Sequence, residues 1–134
     1  MVLKPLQETC IPREEVRSGT ISAVDFAARL EQVVADPGTY ADYGDPSRFF
    51  SLTYPTSGMK RLLTSLFGRL SDQALPGAEN PVLRFQTSFG GGKTHGLIAA
   101  YHVGRGFRPG PEFFDSGFDE SLIPTNTQLS AGVG

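Results

Sequence analysis

Apolar residues between Met59 and Leu70 recur at the spacing of one face of an α-helix. Because an α-helix makes one turn in about 3.6 residues, side chains three and four positions apart lie on the same side. The segment before this stretch, residues 53–57, contains Pro55 and predicts a break that can cap the helix. The pattern therefore predicts a helix that packs one apolar stripe against a core, formed by Met59, Leu62, Leu63, Leu66, Phe67 and Leu70.

Shorter stretches closer to the N-terminus carry helix-start signals. Residues 22–25 form a capping pattern, Ser-x-x-Asp, ahead of an apolar helical face that closes at Asp-Pro-Gly, residues 36–38. Residues 45–50 begin with Asp-Pro and end with Phe-Phe, which predicts one or two further helical turns. Residues 1–20 show no such periodicity and are predicted to be irregular.

Two other segments have the pattern of β-strands. Residues 82–86, Val-Leu-Arg-Phe-Gln, form a short apolar run, and residues 127–134 alternate apolar with polar or small side chains. The second strand is predicted to lie parallel to the first. Residues 97–103 predict a helix between them, and residues 104–118, with several glycines and prolines, predict a wandering connection.

The candidate chemistry lies between the first predicted strand and this helix. Residues 87–94, Thr-Ser-Phe-Gly-Gly-Gly-Lys-Thr, match the phosphate-binding pattern G-x-x-x-x-G-K-[ST] except that Thr87 replaces the first glycine. Glycines lack a Cβ atom, so successive backbone N–H groups can converge on one phosphate. Lys93 would contact the β and γ phosphates, and the hydroxyl of Thr94 would bind magnesium. The predicted cofactors are ATP and Mg²⁺, Thr94 is the predicted metal ligand, and the nucleotide-binding candidates are Thr87, Ser88, Phe89, Gly90, Gly91, Gly92, Lys93, Thr94 and His95.

Taken together, these elements predict an α/β fold of the P-loop NTPase class, similar to AAA+ domains. Residues 1–57 would form an N-terminal helical and irregular region, and residues 58–134 the start of the P-loop core, truncated after its second strand. Two strands do not make a stable sheet, and residues 1–134 hold no apolar strand that ends in a catalytic acid. We therefore expect nucleotide binding without a catalytic residue here, and ATP hydrolysis in a longer chain. The alternatives are a small P-loop phosphotransferase, such as a kinase, and a nucleotide sensor without turnover.

Composition narrows the expected partners and compartment. The chain has 12 Lys and Arg against 14 Asp and Glu, for a net charge of −2. This balance does not indicate a basic surface that would bind nucleic acid. Cys10 is the single cysteine, which excludes an internal disulfide and fits a reducing compartment. No apolar run reaches the length of a membrane span, and the cytoplasm is the expected location. His95 and His102 lack the spacing and neighbours of a metal site and are predicted to be structural or surface histidines.

Three blocks of sequence carry a family resemblance. They are Thr9-Cys10-x-Pro12-Arg13-Glu14-x-Val16, then Asp45-Pro46-x-x-Phe49-Phe50-x-x-Thr53-Tyr54-Pro55-Thr56-x-Gly58, then Thr87-Ser88-Phe89-Gly90-Gly91-Gly92-Lys93-Thr94-His95-Gly96. Together they resemble the start of a family of large prokaryotic AAA+-type ATPases that is catalogued as a domain of unknown function.

The resemblance implies roles for particular residues. In that family a threonine at the position of Thr87 is ordinary, and Gly92, Lys93 and Thr94 would hold the phosphates and magnesium. The family often lies beside DNA-modification or phage-defence genes, and a homo-oligomer is expected in the full-length protein. In several ATPase classes the linker before the first core helix lies over the adenine, so Tyr54 or Pro55 would contact the base. The simpler interpretation is that these two residues fix the turn between two helices.

Overall fold

Seven α-helices and two 3₁₀ turns build the described part of this computed structural model, which comprises residues 4–21, 28–71 and 92–125. Together they hold 59% of the described residues. The helices are α1 (Leu6–Thr9), α2 (Glu14–Ser18), α3 (Leu30–Ala35), α4 (Ala41–Gly44), α5 (Pro46–Ser51), α6 (Ser57–Leu70) and α7 (Lys93–Gly104), and the 3₁₀ turns are Pro111–Phe113 and Glu120–Leu122.

Helices α6 and α7 pack against each other at the centre of the core. The predicted stripe on α6 is confirmed from Met59 to Phe67, with Leu63 and Phe67 completely buried, but Leu70 at its end is 44% exposed. A Cβ atom at Gly96 of α7 would lie 3.1 Å from a methyl carbon of Leu62 on α6. That separation is tighter than ordinary van der Waals contact, so glycine at this position permits the close approach of the two helices.

The two clearest predicted helix starts are also confirmed. The carboxylate of Asp45 accepts a hydrogen bond of 2.9 Å from the backbone N–H of Arg48, and Pro46 occupies the first turn of α5. The hydroxyl of Thr56 accepts one of 3.3 Å from the backbone N–H of Met59 at the start of α6. Each cap satisfies an N–H group that has no partner within its own helix. The predicted cap at residues 22–25 lies outside the described residues.

The prediction of an α/β fold of the P-loop NTPase class is wrong. The described residues form helices and no strand or sheet, and both predicted strands, at 82–86 and 127–134, lie outside them. Helix α7 was expected to cover a sheet, but it packs against α3, α5 and α6 instead. Burial of apolar surface has no preferred direction, so an apolar helix packs as well among helices as against a sheet.

The segment after α7, predicted to be a wandering connection, belongs to the core. Phe113 and Phe114 are buried, and Phe113 meets the ring of Phe50 edge to face at 4.9 Å. Phe107 stacks on the same ring at 5.2 Å. Aromatic burial therefore orders a segment whose glycines and prolines indicated only turns.

The N-terminal segment contains two short helices, α1 and α2, where irregular structure was predicted. Leu6 of α1 is exposed, and α2 has no buried residue. Arg13 donates a hydrogen bond of 2.9 Å to Asp42 in α4, and Arg48 pairs with the same carboxylate. Burial raises the pKa of Asp42, but the hydrogen bonds from Arg48 and Arg13 outweigh burial and hold that pKa below its ordinary value. Arg13 therefore links this segment to α4 through an ion pair, and Glu15 links it to α5 through an ion pair of 3.5 Å with Arg48.

Candidate functional site

The start of α7 has the backbone geometry of an anion site. Gly92 lies in the left-handed region, with φ of 74°, directly before the helix begins at Lys93. Among the described residues, no side chain caps this helix start, and Gly92, Lys93 and Thr94 are exposed. The first N–H groups of a helix have no partner inside it, and the helix dipole places partial positive charge at the same end. An anion placed at this helix start would therefore meet the positive end of the helix dipole.

The remaining predicted residues of the phosphate-binding loop, at 87–91, lie outside the described residues. The described end of the loop shows why one glycine is required. A Cβ atom at Gly92 would meet nothing within 4 Å, so space does not demand glycine there. Its positive φ does, because that conformation is costly for other residues.

A cavity of about 420 Å³ adjoins this helix start. One wall comes from the turn between α5 and α6 and from the first turns of α6, and the opposite wall comes from the first turn of α7. The side chains on the first wall are largely apolar, and Tyr54 is among them although it is 80% exposed. Pro55 does not line the cavity. Of the two residues proposed for contact with a base, the structure thus places Tyr54 beside the start of α7.

A hydrogen bond connects the two walls. The hydroxyl oxygen of Thr53 lies 2.6 Å from the carbonyl oxygen of Phe49 and 2.8 Å from Nε2 of His95. A carbonyl oxygen can only accept, so the single hydroxyl proton of Thr53 is donated to Phe49. Nε2 of His95 must then donate to Thr53. The neutral ring therefore carries its proton on Nε2, and Nδ1 is the unprotonated nitrogen.

The ring of His95 is held by packing as well. It lies against Phe49, with ring centroids 4.5 Å apart, and Tyr43 approaches it edge to face at 6.2 Å. Burial lowers the pKa of His95 below the ordinary histidine value, which favours the neutral ring. His95 was placed among the nucleotide-binding candidates, and the structure brings it to the cavity through these contacts.

His102 lies deeper in the same helix. It is buried, and its Nε2 donates a hydrogen bond of 2.6 Å to the carbonyl oxygen of Tyr43. Burial lowers the pKa of His102, although the Tyr43 carbonyl and the charge of Asp45 act in the opposite direction. This histidine joins α7 to α4 and does not line the cavity.

The described segments contain neither a cluster of metal-ligating side chains nor a membrane-spanning helix. No group of three or more His, Cys, Asp or Glu side chains there could hold a metal ion, and Cys10 is exposed. Thr94, the predicted magnesium ligand, offers an exposed hydroxyl in the first turn of α7. No helix among the described residues is both long and apolar enough to cross a membrane.

Residues 13–111 match the family model of the DUF499 N-terminal domain. The chain belongs to the DUF499 family. The resemblance to a family catalogued as a domain of unknown function is thereby confirmed, and the matched range of DUF499 contains both walls of the cavity. Comparison with curated proteins and with solved structures finds no significant match.

Sequence reasoning missed the residues that complete the cavity. Thr53 and Met59 line it, but polar residues before a helix and methionine in an apolar stripe are ordinary in any helical protein. His95 stands 42 positions after Thr53, so no local pattern could reveal their hydrogen bond.

Proposed function

We propose that this DUF499 N-terminal domain binds ATP, with the phosphates at the start of α7 and the adenine in the adjoining cavity. The observation that carries the proposal is the position of the cavity. It opens beside Gly92, where the glycine-rich sequence meets the helix, and its other wall contains Tyr54. An apolar slot next to a phosphate-binding helix start is what a nucleotide requires.

The phosphate end is supported by residue chemistry at three consecutive positions. Gly92 presents the backbone to an anion without a side chain, Lys93 brings a positive charge, and Thr94 brings a hydroxyl. The positive end of the helix dipole at this first turn also favours negative charge. Magnesium prefers oxygen ligands, so Thr94 would bind the Mg²⁺ that accompanies the β and γ phosphates.

The base end is supported by shape and polarity. Ligand pockets typically measure roughly 300 to 1,000 Å³ and are mainly apolar, and this cavity holds about 420 Å³. Leu52, Tyr54 and Met59 supply aliphatic, aromatic and thioether surface. A purine ring presents flat apolar faces that pack on such side chains.

Hydrolysis belongs to the same proposal but at the level of the full-length protein. The motif Phe89-Gly90-Gly91-Gly92-Lys93-Thr94-His95 supports ATP hydrolysis as the activity of the whole protein. This part of the proposal rests on the sequence of the loop and on no feature of the described helices.

Titration of a fluorescent ATP analogue against the Lys93→Ala variant tests the binding proposal. Lys93→Ala should abolish binding, because it removes the charge directed at the β and γ phosphates. Lys60→Ala on α6 is the matched control, since it deletes the same charge at a position that does not line the cavity. Equal affinity of both variants and the wild type would refute the phosphate site.

A further inference from the structure

His95 joins the phosphate end of the proposed site to its base end. It sits in the first turn of α7, two positions after Lys93, and its Nε2–H reaches the hydroxyl of Thr53 at 2.8 Å. Thr53 immediately precedes Tyr54 in the opposite wall. Since the same hydroxyl is bonded to Phe49 at the end of α5, one side chain connects α5, the cavity wall and α7.

We propose that His95 is a positioning residue that sets the base-side wall of the cavity relative to the phosphates, through its hydrogen bond to Thr53. The inference rests on the proposed function and identifies its ligand as a nucleotide whose base and phosphates are held by separate elements. His95 itself need not touch the nucleotide. It determines the separation between the turn that carries Tyr54 and the helix that carries Lys93.

The geometry around this hydrogen bond favours such a role over simple core packing. His95 is half buried and lines the cavity, whereas His102 of the same helix is buried away from it. The bond joins two residues that both line the cavity, one before α6 and one in the first turn of α7. A preformed wall lowers the ordering cost of binding, so its loss should appear as weaker affinity for ligands that carry a base.

Substitutions can separate the hydrogen bond from the packing of the ring. His95→Phe keeps an aromatic ring against Phe49 but has no donor, whereas His95→Gln places an amide N–H close to the former position of Nε2. Thr53→Val removes the hydroxyl at constant shape, and Thr53→Ser retains it. Thr64→Val is the matched control, because the buried hydroxyl of Thr64 accepts a hydrogen bond of 2.8 Å from the backbone of Asp115, away from the cavity.

Each variant is titrated with Mg-ATP and with inorganic tripolyphosphate, using the protein encoded by the complete gene. We expect His95→Phe and Thr53→Val to weaken ATP binding by roughly five- to tenfold, the scale of one lost buried hydrogen bond. Affinity for tripolyphosphate should stay unchanged, because that ligand has no base. His95→Gln, Thr53→Ser and Thr64→Val should bind ATP with an affinity within about twofold of the wild type. The double variant that combines His95→Phe with Thr53→Val should bind ATP no more weakly than either single variant.

The outcomes distinguish this inference from the function on which it rests. The positioning role would be overturned if His95→Phe and Thr53→Val weakened the affinity for both ligands equally or for neither. It would also be overturned if their effects on ATP affinity added up in the double variant. None of these results would contradict ATP binding itself. Lys93→Ala, measured in parallel, tests the site itself. The wild type could bind neither ligand, bind ATP but not tripolyphosphate, or have the same affinities as Lys93→Ala. In each of these cases there is no separate phosphate-binding site at the start of α7, and the inference fails with it.

Discussion

The core around α6 and α7 and the N-terminal segment of α1 and α2 are held by different forces. Leu63 in the core is completely buried, whereas Leu6 in α1 is 73% exposed. The N-terminal segment is tied to α4 by the ion pair of Arg13 with Asp42 and to α5 by the ion pair of Glu15 with Arg48. Apolar burial in a close-packed core contributes far more free energy than exposed ion pairs do. The difference indicates one cooperative unit around α7 with an N-terminal segment that opens separately.

The largest expected effect is on the stability of the fold, and it should differ between a leucine truncated in the core and a leucine truncated in α1. Leu63→Ala should lower the free energy of unfolding by about 2 to 5 kcal/mol, because it leaves a cavity between α6 and its neighbours. Leu6→Ala, the matched control, should change it by less than about 0.5 kcal/mol. Urea denaturation followed by circular dichroism measures both. Similar losses in the two variants would show that α1 belongs to the same cooperative unit.

A pair of glycines tests the backbone at the two helix starts that face the cavity. Gly92→Ala should destabilise the protein by about 1 to 3 kcal/mol, because alanine is strained at a φ of 74°. Gly58→Ala lies in the first turn of α6, where a Cβ atom meets nothing within 4 Å. It should stabilise the protein by about 0.4 to 1 kcal/mol. Thermal denaturation of both variants gives the signs, and destabilisation by both would contradict the comparison.

The pH dependence of stability should reflect the core histidines. Burial holds the pKa of His95 and of His102 below the ordinary value of about 6.5. Below about pH 6.5 the unfolded chain binds more protons than the folded chain, so the free energy of unfolding should fall as the pH drops toward the folded pKa. Above about pH 6.5 the contribution of these histidines should stay constant.

The same melting curves, recorded at about pH 7.5 and about pH 5.5, provide the measurement. His102→Gln cannot be protonated and should reduce the difference between the two pH values. His95→Gln should reduce it as well. An unchanged difference in both variants would assign the pH dependence to other groups.

The smallest effect is expected at the ion pairs of the N-terminal segment. Asp42→Asn removes the charge shared by Arg13 and Arg48 at nearly constant shape, so amide hydrogen exchange in residues 13–18 should accelerate while α7 stays protected. Asp36→Asn is the control, because that carboxylate bonds to Thr39 within its own turn. In about 1 M salt the wild type should exchange like Asp42→Asn. Faster exchange of the α7 amides in Asp42→Asn would contradict this prediction.

The sequence alone determined the local features of this protein. The spacing of apolar residues predicts α6, and the start signal at Asp45-Pro46 and the capping break at residues 53–57 are confirmed. The apolar run after Thr94 forms the helix α7. These features depend on neighbours within a few residues, where helical periodicity and capping act. The glycine-rich loop was likewise readable as a candidate phosphate site, since its chemistry resides in consecutive residues.

Only the tertiary structure decided which helices surround α7 and which residues line the cavity at its start. The α/β prediction failed because an apolar helix does not specify whether a sheet or other helices cover it, and here α3, α5 and α6 do so. The cavity depends on the meeting of Thr53 and His95, which are far apart in the chain. Hydrophobic burial is non-directional, so periodicity identifies a buried face but not its partner, and that partner is chosen by the packing of the whole chain.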